Sequence, residues 1–220
     1  MKWLYVMASI LFLIKMLMMP NPTGEWQEAS IVGSIVEETG VTNAVSGIIF
    51  RNRLYDTIFE VVVFTIAILG VKFLIADETP SKTMIQFDDY PSIILARLGA
   101  TIAAIVSIEL SIRGHLSPGG GFAAGVAGGT AIGLIAITSS PAWMEKVYEQ
   151  YQAATAEKIS VLIFIILAVI TLIGVELPQG ELGTLLSGGM IPWLNIVVAI
   201  KVTLGSWAVV LLFTRYRGLL

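Results

Sequence analysis

The sequence predicts an all-α fold, a polytopic helix bundle in a membrane with about six spanning helices. Three observations predict it. Hydrophobic residues make up 56% of the 220 positions and charged residues only 13%, about half the charge of a soluble domain. Mean hydropathy is +0.85. The apolar residues also fall into runs close to the roughly 20 residues that cross a bilayer.

The runs are these, in order. The first, Trp3 to Met19, stops at Pro20 and Pro22. Lys15 interrupts it and no small-x-small cleavage pattern comes after it, so it reads as a retained anchor. The second runs from Asp56 to Ala76, the third from Ser92 to Ile112, and the fourth from Pro118 to Thr138. The fifth runs from Ile159 to Val175 and the sixth from Ile191 to Thr214. Together they leave no room for a sizeable soluble domain.

The connections differ in kind. Asn21 to Arg53 is long and mixed, and its more apolar second part, GVTNAVSGIIF, reads as interfacial or re-entrant and not as a full span. Asp77 to Tyr90 is charged and is the one plausible internal boundary, which divides the chain into 1–80 and 81–220. Pro141 to Glu157 is amphipathic, with Trp143, Tyr148 and Tyr151 suited to a headgroup belt. Leu177 to Met190 is glycine-rich and carries no cation. With the N-terminus inside, Lys2, Lys82, Lys146, Lys158, Arg215 and Arg217 lie inside, and Arg51, Arg53 and Arg113 outside. The excess of inner cations favours both termini in the cytoplasm.

Composition excludes several functions. Thirteen Lys and Arg stand against 16 Asp and Glu, so no basic surface for nucleic acid is expected. There is no cysteine and one histidine, which excludes disulfides, thiolate nucleophiles, cysteine-held clusters and multi-histidine metal sites. The chain shows no nucleotide-binding loop and no serine–histidine pair with an orienting third group. We therefore expect no catalytic residues and no bound cofactor or metal.

Two kinds of residue stand out. The fourth span opens Ser117-Pro118-Gly119-Gly120-Gly121, a start expected to use Ser117 as N-cap and Pro118 as the first helical residue. Gly121, Gly125, Gly129 and Gly133 then recur on one slowly winding face. Such a face lets a neighbouring backbone approach closely, and packing is its plainer reading. The free amides at the helix start offer a weak anion-favouring spot as the sharper alternative.

The second kind is charge inside spans, which costs roughly 2.5–3.5 kcal/mol at the helix centre on the insertion scale and usually marks an ion or proton route. Lys201 lies near the middle of the sixth span; a structural ion pair is the alternative. Asp56 and Glu60 share a helix face at i, i+4. Two facing carboxylates can share a proton or bind a cation, or they can pair with Arg51 and Arg53. Glu109 and Arg113 are spaced for an end-of-helix salt bridge. His115 is the one side chain that titrates near neutral pH unaided.

RGHLSPGGGFAAGVAGGTAIGL, from Arg113 to Leu134, resembles the signature of the B subunit of Mrp-type Na+/H+ antiporters, the MnhB domain. The matching residues are Gly114, His115, Pro118, Gly119, Gly120, Gly121 and Phe122. IPWLNIVVAIKV, from Ile191 to Val202, is similar to the last helix of that subunit in hydrogenase-linked complexes. The front stretch GVTNAVSGIIFRNRLYDTIFEVVVF resembles the C-terminal tail of the antiporter A subunit, through Thr42, Asn43, Val45, Arg53, Asp56, Thr57 and Glu60. Phe59 stands where that tail usually has glycine.

The resemblance implies an integral-membrane subunit of an Mrp-type antiporter module within a redox-driven complex of the hydrogenase or sulfur reductase type. It implies Na+ and H+ as transported ions, other antiporter-module membrane subunits as partners, and neighbouring hydrogenase or sulfur reductase subunits that carry the iron–sulfur clusters. Asp56 and Glu60 would belong to the cation or proton route, with Lys201, Glu109 and His115 as further candidates. A purely structural subunit and a stand-alone small transporter are the alternatives.

Overall fold

The computed structural model describes residues 28–80 and 87–217, with Met7, Ile10, Ile14, Leu17 and Met18 before them. The first expected span falls largely outside the described residues. The chain divides into two compact units, Met1–Val32 and Gly33–Leu220, and the second carries the helix bundle.

Every described regular element is a helix. α1 is Glu28–Thr39, α2 Ala44–Gly47, α3 Leu54–Ile75, α4 Tyr90–Arg113, α5 Gly120–Ala136, α6 Pro141–Gln150, α7 Ala153–Leu172 and α8 Ile191–Arg217. A π-helical turn, Ile48–Asn52, joins α2 to α3. Among the described residues, α3, α4, α7 and α8 are long and apolar enough to cross a membrane. α5 is apolar but has only 17 residues. GVTNAVSGIIF forms α2 and part of the π turn and spans nothing, as expected.

Local chemistry sets several helix starts. The Asp89 carboxylate accepts the Ser92 amide at 3.0 Å and Pro91 occupies the first turn, so α4 starts where its free amides are best satisfied. The Ser92 hydroxyl, and after it the Ser92 amide, hold the Asp89 carboxyl below the usual range. Ser140 and Pro141 start α6 in the same way.

The start of α5 differs from expectation. The helix begins at Gly120, and Gly119 stands at the N-cap with no side-chain bond. Ser117 instead closes the end of α4: its amide donates to the Arg113 carbonyl at 3.0 Å and its hydroxyl to the same oxygen at 3.3 Å. The chain then reverses through φ of +144° at Gly119 and +87° at Gly120. Side-chain-bearing residues rarely adopt such angles, so the glycines are needed for the reversal itself.

α8 is the axis of the bundle. One third of its most apolar window is buried inside the chain, 33%, against 11% for α4. α5 packs between α4 and α8, and α7 and α3 pack on α8 from other directions. The apolar core joins Val41, Phe50 and Leu54 to Phe164 and Ala168 of α7 and to Leu194, Val198 and Val202 of α8.

The glycine face makes the α5–α8 contact possible. A Cβ at Gly125 would overlap the Val202 side chain, with Ala199 O at 3.0 Å, and one at Gly129 would lie 2.6 Å from Ser206 Cβ. A Cβ at Gly121 would overlap the Asn195 carbonyl. This is helix packing through small residues. Gly133 lies beyond the contact, with open space around it. Gly128 extends the face toward Thr203 and Ser107. The close approach brings Ser107 Oγ to the Ala124 carbonyl at 2.7 Å and Thr203 Oγ1 to the Gly125 carbonyl at 3.3 Å.

Candidate functional site: a buried lysine–glutamate pair in the bundle

Because α3, α5 and α8 end, and α4 and α7 begin, beside α6, the bundle has two dissimilar ends. At one end lie the loops 114–119 and 173–190, held by polar clamps. The Asn43 side-chain amide donates to the Gly114 and Ser117 carbonyls, both at 2.8 Å. Thr42 Oγ1 donates to the Leu116 carbonyl at 2.9 Å. The Asn195 side-chain amide donates to the Ser111 carbonyl at 2.7 Å and the Leu110 carbonyl at 3.2 Å. These bonds satisfy carbonyls of the last turn of α4 and of the loop that follows it.

His115 is fully buried here. Its Nε2 lies 3.4 Å from the Thr184 carbonyl, which places the proton on Nε2, and Nδ1 has no partner. Burial pushes its pKa below the ordinary histidine value. The ring is a neutral plug that fastens loop 173–190.

Asp56 and Glu60 lie at this same end on the outer side of α3. Arg53 Nε donates to Asp56 Oδ2 at 2.6 Å. Asp56 is half-buried and Glu60 exposed. With Arg53 they line an open cleft shared with Phe59 and Val63. Arg51 pairs with Glu176 rather than with these acids. Glu109 pairs with Arg113 at 3.0 Å, both exposed.

The interior holds a different arrangement. Lys201 is 0% exposed. Its Nζ lies 3.3 Å from Glu157 Oε1, whose side chain is 13% exposed, and 4.0 Å from the centre of the Phe64 ring. Neither Nζ nor Oε1 has a directed hydrogen bond, so charge attraction and the face of Phe64 hold the ammonium. Glu157 reaches this depth because α7 begins at Ala153, ahead of the expected start of the fifth span at Ile159. The acid therefore sits one turn inside the helix instead of in the preceding loop.

Thus the structure does not gather the candidates into one site. Lys201 is central, Asp56 and Glu60 face outward, Glu109 is in a surface pair, and His115 packs a loop. Sequence reasoning missed three residues. Glu157 partners Lys201, Phe64 covers it, and Asn195 ties α4 to α8. An acid a few positions ahead of an uncharged apolar run was the available signal for Glu157. A span boundary placed at the first strongly apolar residue leaves that acid outside.

The profile described as "Domain related to MnhB subunit of Na+/H+ antiporter" matches residues 91–208, more than half of the chain. The chain belongs to the MnhB family. Two solved structures share its fold. One is a chain of the membrane-bound sulfane sulfur reductase, an archaeal respiratory membrane complex. It is 24% identical, with a TM-score of 0.72 over 97% of this chain and 98% of that one. The other belongs to the Mrp complex of Dietzia sp. DQ12-45-1b. It is 15% identical, with a TM-score of 0.63 over 94% of this chain but only 25% of that one. No curated protein sequence matches significantly. The family match covers Lys201, Glu157 and the α5 glycines; α1 to α3, with Asp56 and Glu60, lie before it.

Proposed function

We propose that this MnhB-family membrane subunit contributes to cation/proton translocation inside an Mrp-type antiporter module of a larger respiratory complex. The observation that carries the reading is the Lys201–Glu157 pair. Burying two charges costs several kcal/mol each, and their mutual attraction repays this only with good geometry and further hydrogen bonds. Here the ammonium has one carboxylate oxygen at 3.3 Å and the face of Phe64, so the pair is a weak stabiliser and a poised proton acceptor and donor. Glu157 accepts a proton as Lys201 loses its counter-charge, and the ammonium then either gives up its own proton or moves along Phe64.

Asp56 and Glu60 serve the same function at the subunit boundary. Glu60 points away from the bundle among the exposed Phe59 and Val63. A carboxylate on a lipid-facing helix surface is costly, so a partner membrane subunit that completes a polar path there is the natural neighbour. Parent complexes of the sulfur reductase or hydrogenase type, Na+ and H+ as the ions, cytoplasmic termini, and an A-subunit-like front part at 1–80 belong to the same proposal.

A structural subunit is the second reading. The ion pairs Arg51–Glu176, Arg113–Glu109 and Arg215–Glu145 favour it, because they neutralise much of the charge outside the core. Ion-driven pH changes in inverted vesicles that contain the assembled complex separate the readings. Glu157→Gln and Lys201→Met should each lower coupled transport per assembled complex, with abundance measured in the same vesicles because removal of one partner also destabilises the bundle. Wild-type transport by both would leave only the structural role.

A further inference from the structure

At the end of the bundle where α6 lies, a cleft of about 230 Å³ opens between α3, α6, α7 and α8. It is lined by Lys72, Glu145, Tyr148, Glu149, Ala154 and Arg215, among others. A water occupies about 30 Å³ in the liquid, so the cleft has room for several.

The cleft leads toward the ion pair. Ala154 and Glu157 are three residues apart on α7, one above the other on one helix face. Ala208, which also lines the cleft, is two turns from Lys201 on α8, again on one face. Tyr148 stands between the two. Its ring packs edge-on against Trp207, with centroids 5.2 Å apart. Burial, and then the charge of Glu157, push the Tyr148 hydroxyl above the ordinary tyrosine pKa. The phenol therefore keeps its proton and lies within electrostatic reach of the carboxylate.

We propose that this cleft is an aqueous vestibule that supplies protons to Glu157 from one face of the membrane, with Tyr148 as its inner wall. The lining identifies the cargo. Glu145 pairs with Arg215, and Lys72 offsets Glu149 in formal charge, so the walls favour neither sign. A metal cation would find no concentrated negative field, and the described residues hold no cluster of three or more His, Asp or Glu that could bind one. A proton needs only ordered water and an acceptor. The step balances when bulk hydronium is the source: each vestibule water passes a proton inward as it receives one from the water outside it, the Glu157 carboxylate takes the last, and the bulk is left one proton poorer.

The proposal rests on the translocation reading but can be tested apart from it. The chain contains no cysteine, so single cysteines report cleanly. Ala154→Cys and Glu157→Cys are introduced into the assembled complex, and sealed vesicles of both orientations are treated with a charged, membrane-impermeant methanethiosulfonate. Ile166→Cys, at an exposed apolar position of α7, is the control for lipid-facing surface. Both vestibule cysteines should react from the α6 face only. Ala154→Cys should react about tenfold or more faster than Ile166→Cys, because the reacting thiolate needs water. No reaction at Ala154→Cys from either face, or a rate equal to that of Ile166→Cys, would overturn the vestibule. Reaction at Ala154→Cys without reaction at Glu157→Cys would overturn the link to the carboxylate. Normal labelling, combined with normal transport in Glu157→Gln, would leave the vestibule standing and remove the translocation reading.

Discussion

The chain carries two acid-centred sites, one at each level of the bundle, and they are built on opposite principles. Asp56 and Glu60 sit on the outside of α3, two carboxylates with Arg53 as a screened, flexible partner. Glu157 sits inside, a single carboxylate against a fully buried lysine. Outside, an ion pair is worth ~0–1 kcal/mol, so its members can exchange ions with little structural consequence. Inside, removal of one partner leaves an uncompensated charge at a cost of ~3–5 kcal/mol. The outer site is therefore tolerant of substitution, whereas loss of one partner of the inner pair disturbs the packing of α7 on α8.

The largest effect that breaks this comparison acts on the scaffold. Gly125→Leu should separate α5 from α8, because even a Cβ at that position overlaps Val202, so a whole Leu side chain has no place between the two backbones and the contact is lost outright. Loss of the assembled subunit on native gels is expected, while Gly133→Ala, with open space around it, should leave abundance unchanged.

The inner pair comes next. Lys201→Met alone should destabilise by ~3–5 kcal/mol, and Lys201→Met with Glu157→Gln should recover most of that. Thermal aggregation of the detergent-solubilised complex measures both. Recovery of stability without recovery of transport would mark the pair as functional.

Asn43→Ala would leave the Gly114 and Ser117 carbonyls without their donor. A loss of ~1–3 kcal/mol is expected, read as faster proteolysis of the loops at that end. Asp56→Asn with Glu60→Gln should change thermal stability by less than ~1 kcal/mol while lowering transport. A large stability loss would make the outer acids structural.

The smallest effect concerns His115. Its folded pKa is lowered, so the native state binds fewer protons than the unfolded chain. Stability from the neutral ring is complete above the unfolded value of 6.5 and is lost as pH falls from there through the folded value. Amide hydrogen exchange in loop 173–190, taken relative to its intrinsic pH dependence, should rise on acidification below that value, and His115→Gln should flatten the dependence.

The bundle was legible because membrane helices announce themselves by length and apolarity, and α3, α4, α7 and α8 lie where those runs lie. On α5, Gly121, Gly125 and Gly129 of the glycine period meet α8, where only small residues allow close approach, but Gly133 of the same period meets nothing and Gly128, outside it, joins the contact. Other features had no local signal. The sequence assigns Tyr148 to the headgroup belt with Trp143 and Tyr151, yet it packs against Trp207 on α8, far along the chain. Ser117 carries the marks of an N-cap, but the reversal at Gly119 and Gly120 turns it back onto α4.

By itself, then, the sequence determined the all-helical membrane fold, the family signature and the isolated charge at Lys201, because these depend on composition and on spacing within one helix. The tertiary structure alone decided that Glu157 and Phe64 enclose that charge and that Asp56 and Glu60 face outward. Which side chains meet across helices depends on how α7, α3 and α8 are rotated against one another, and no single run of residues encodes that rotation.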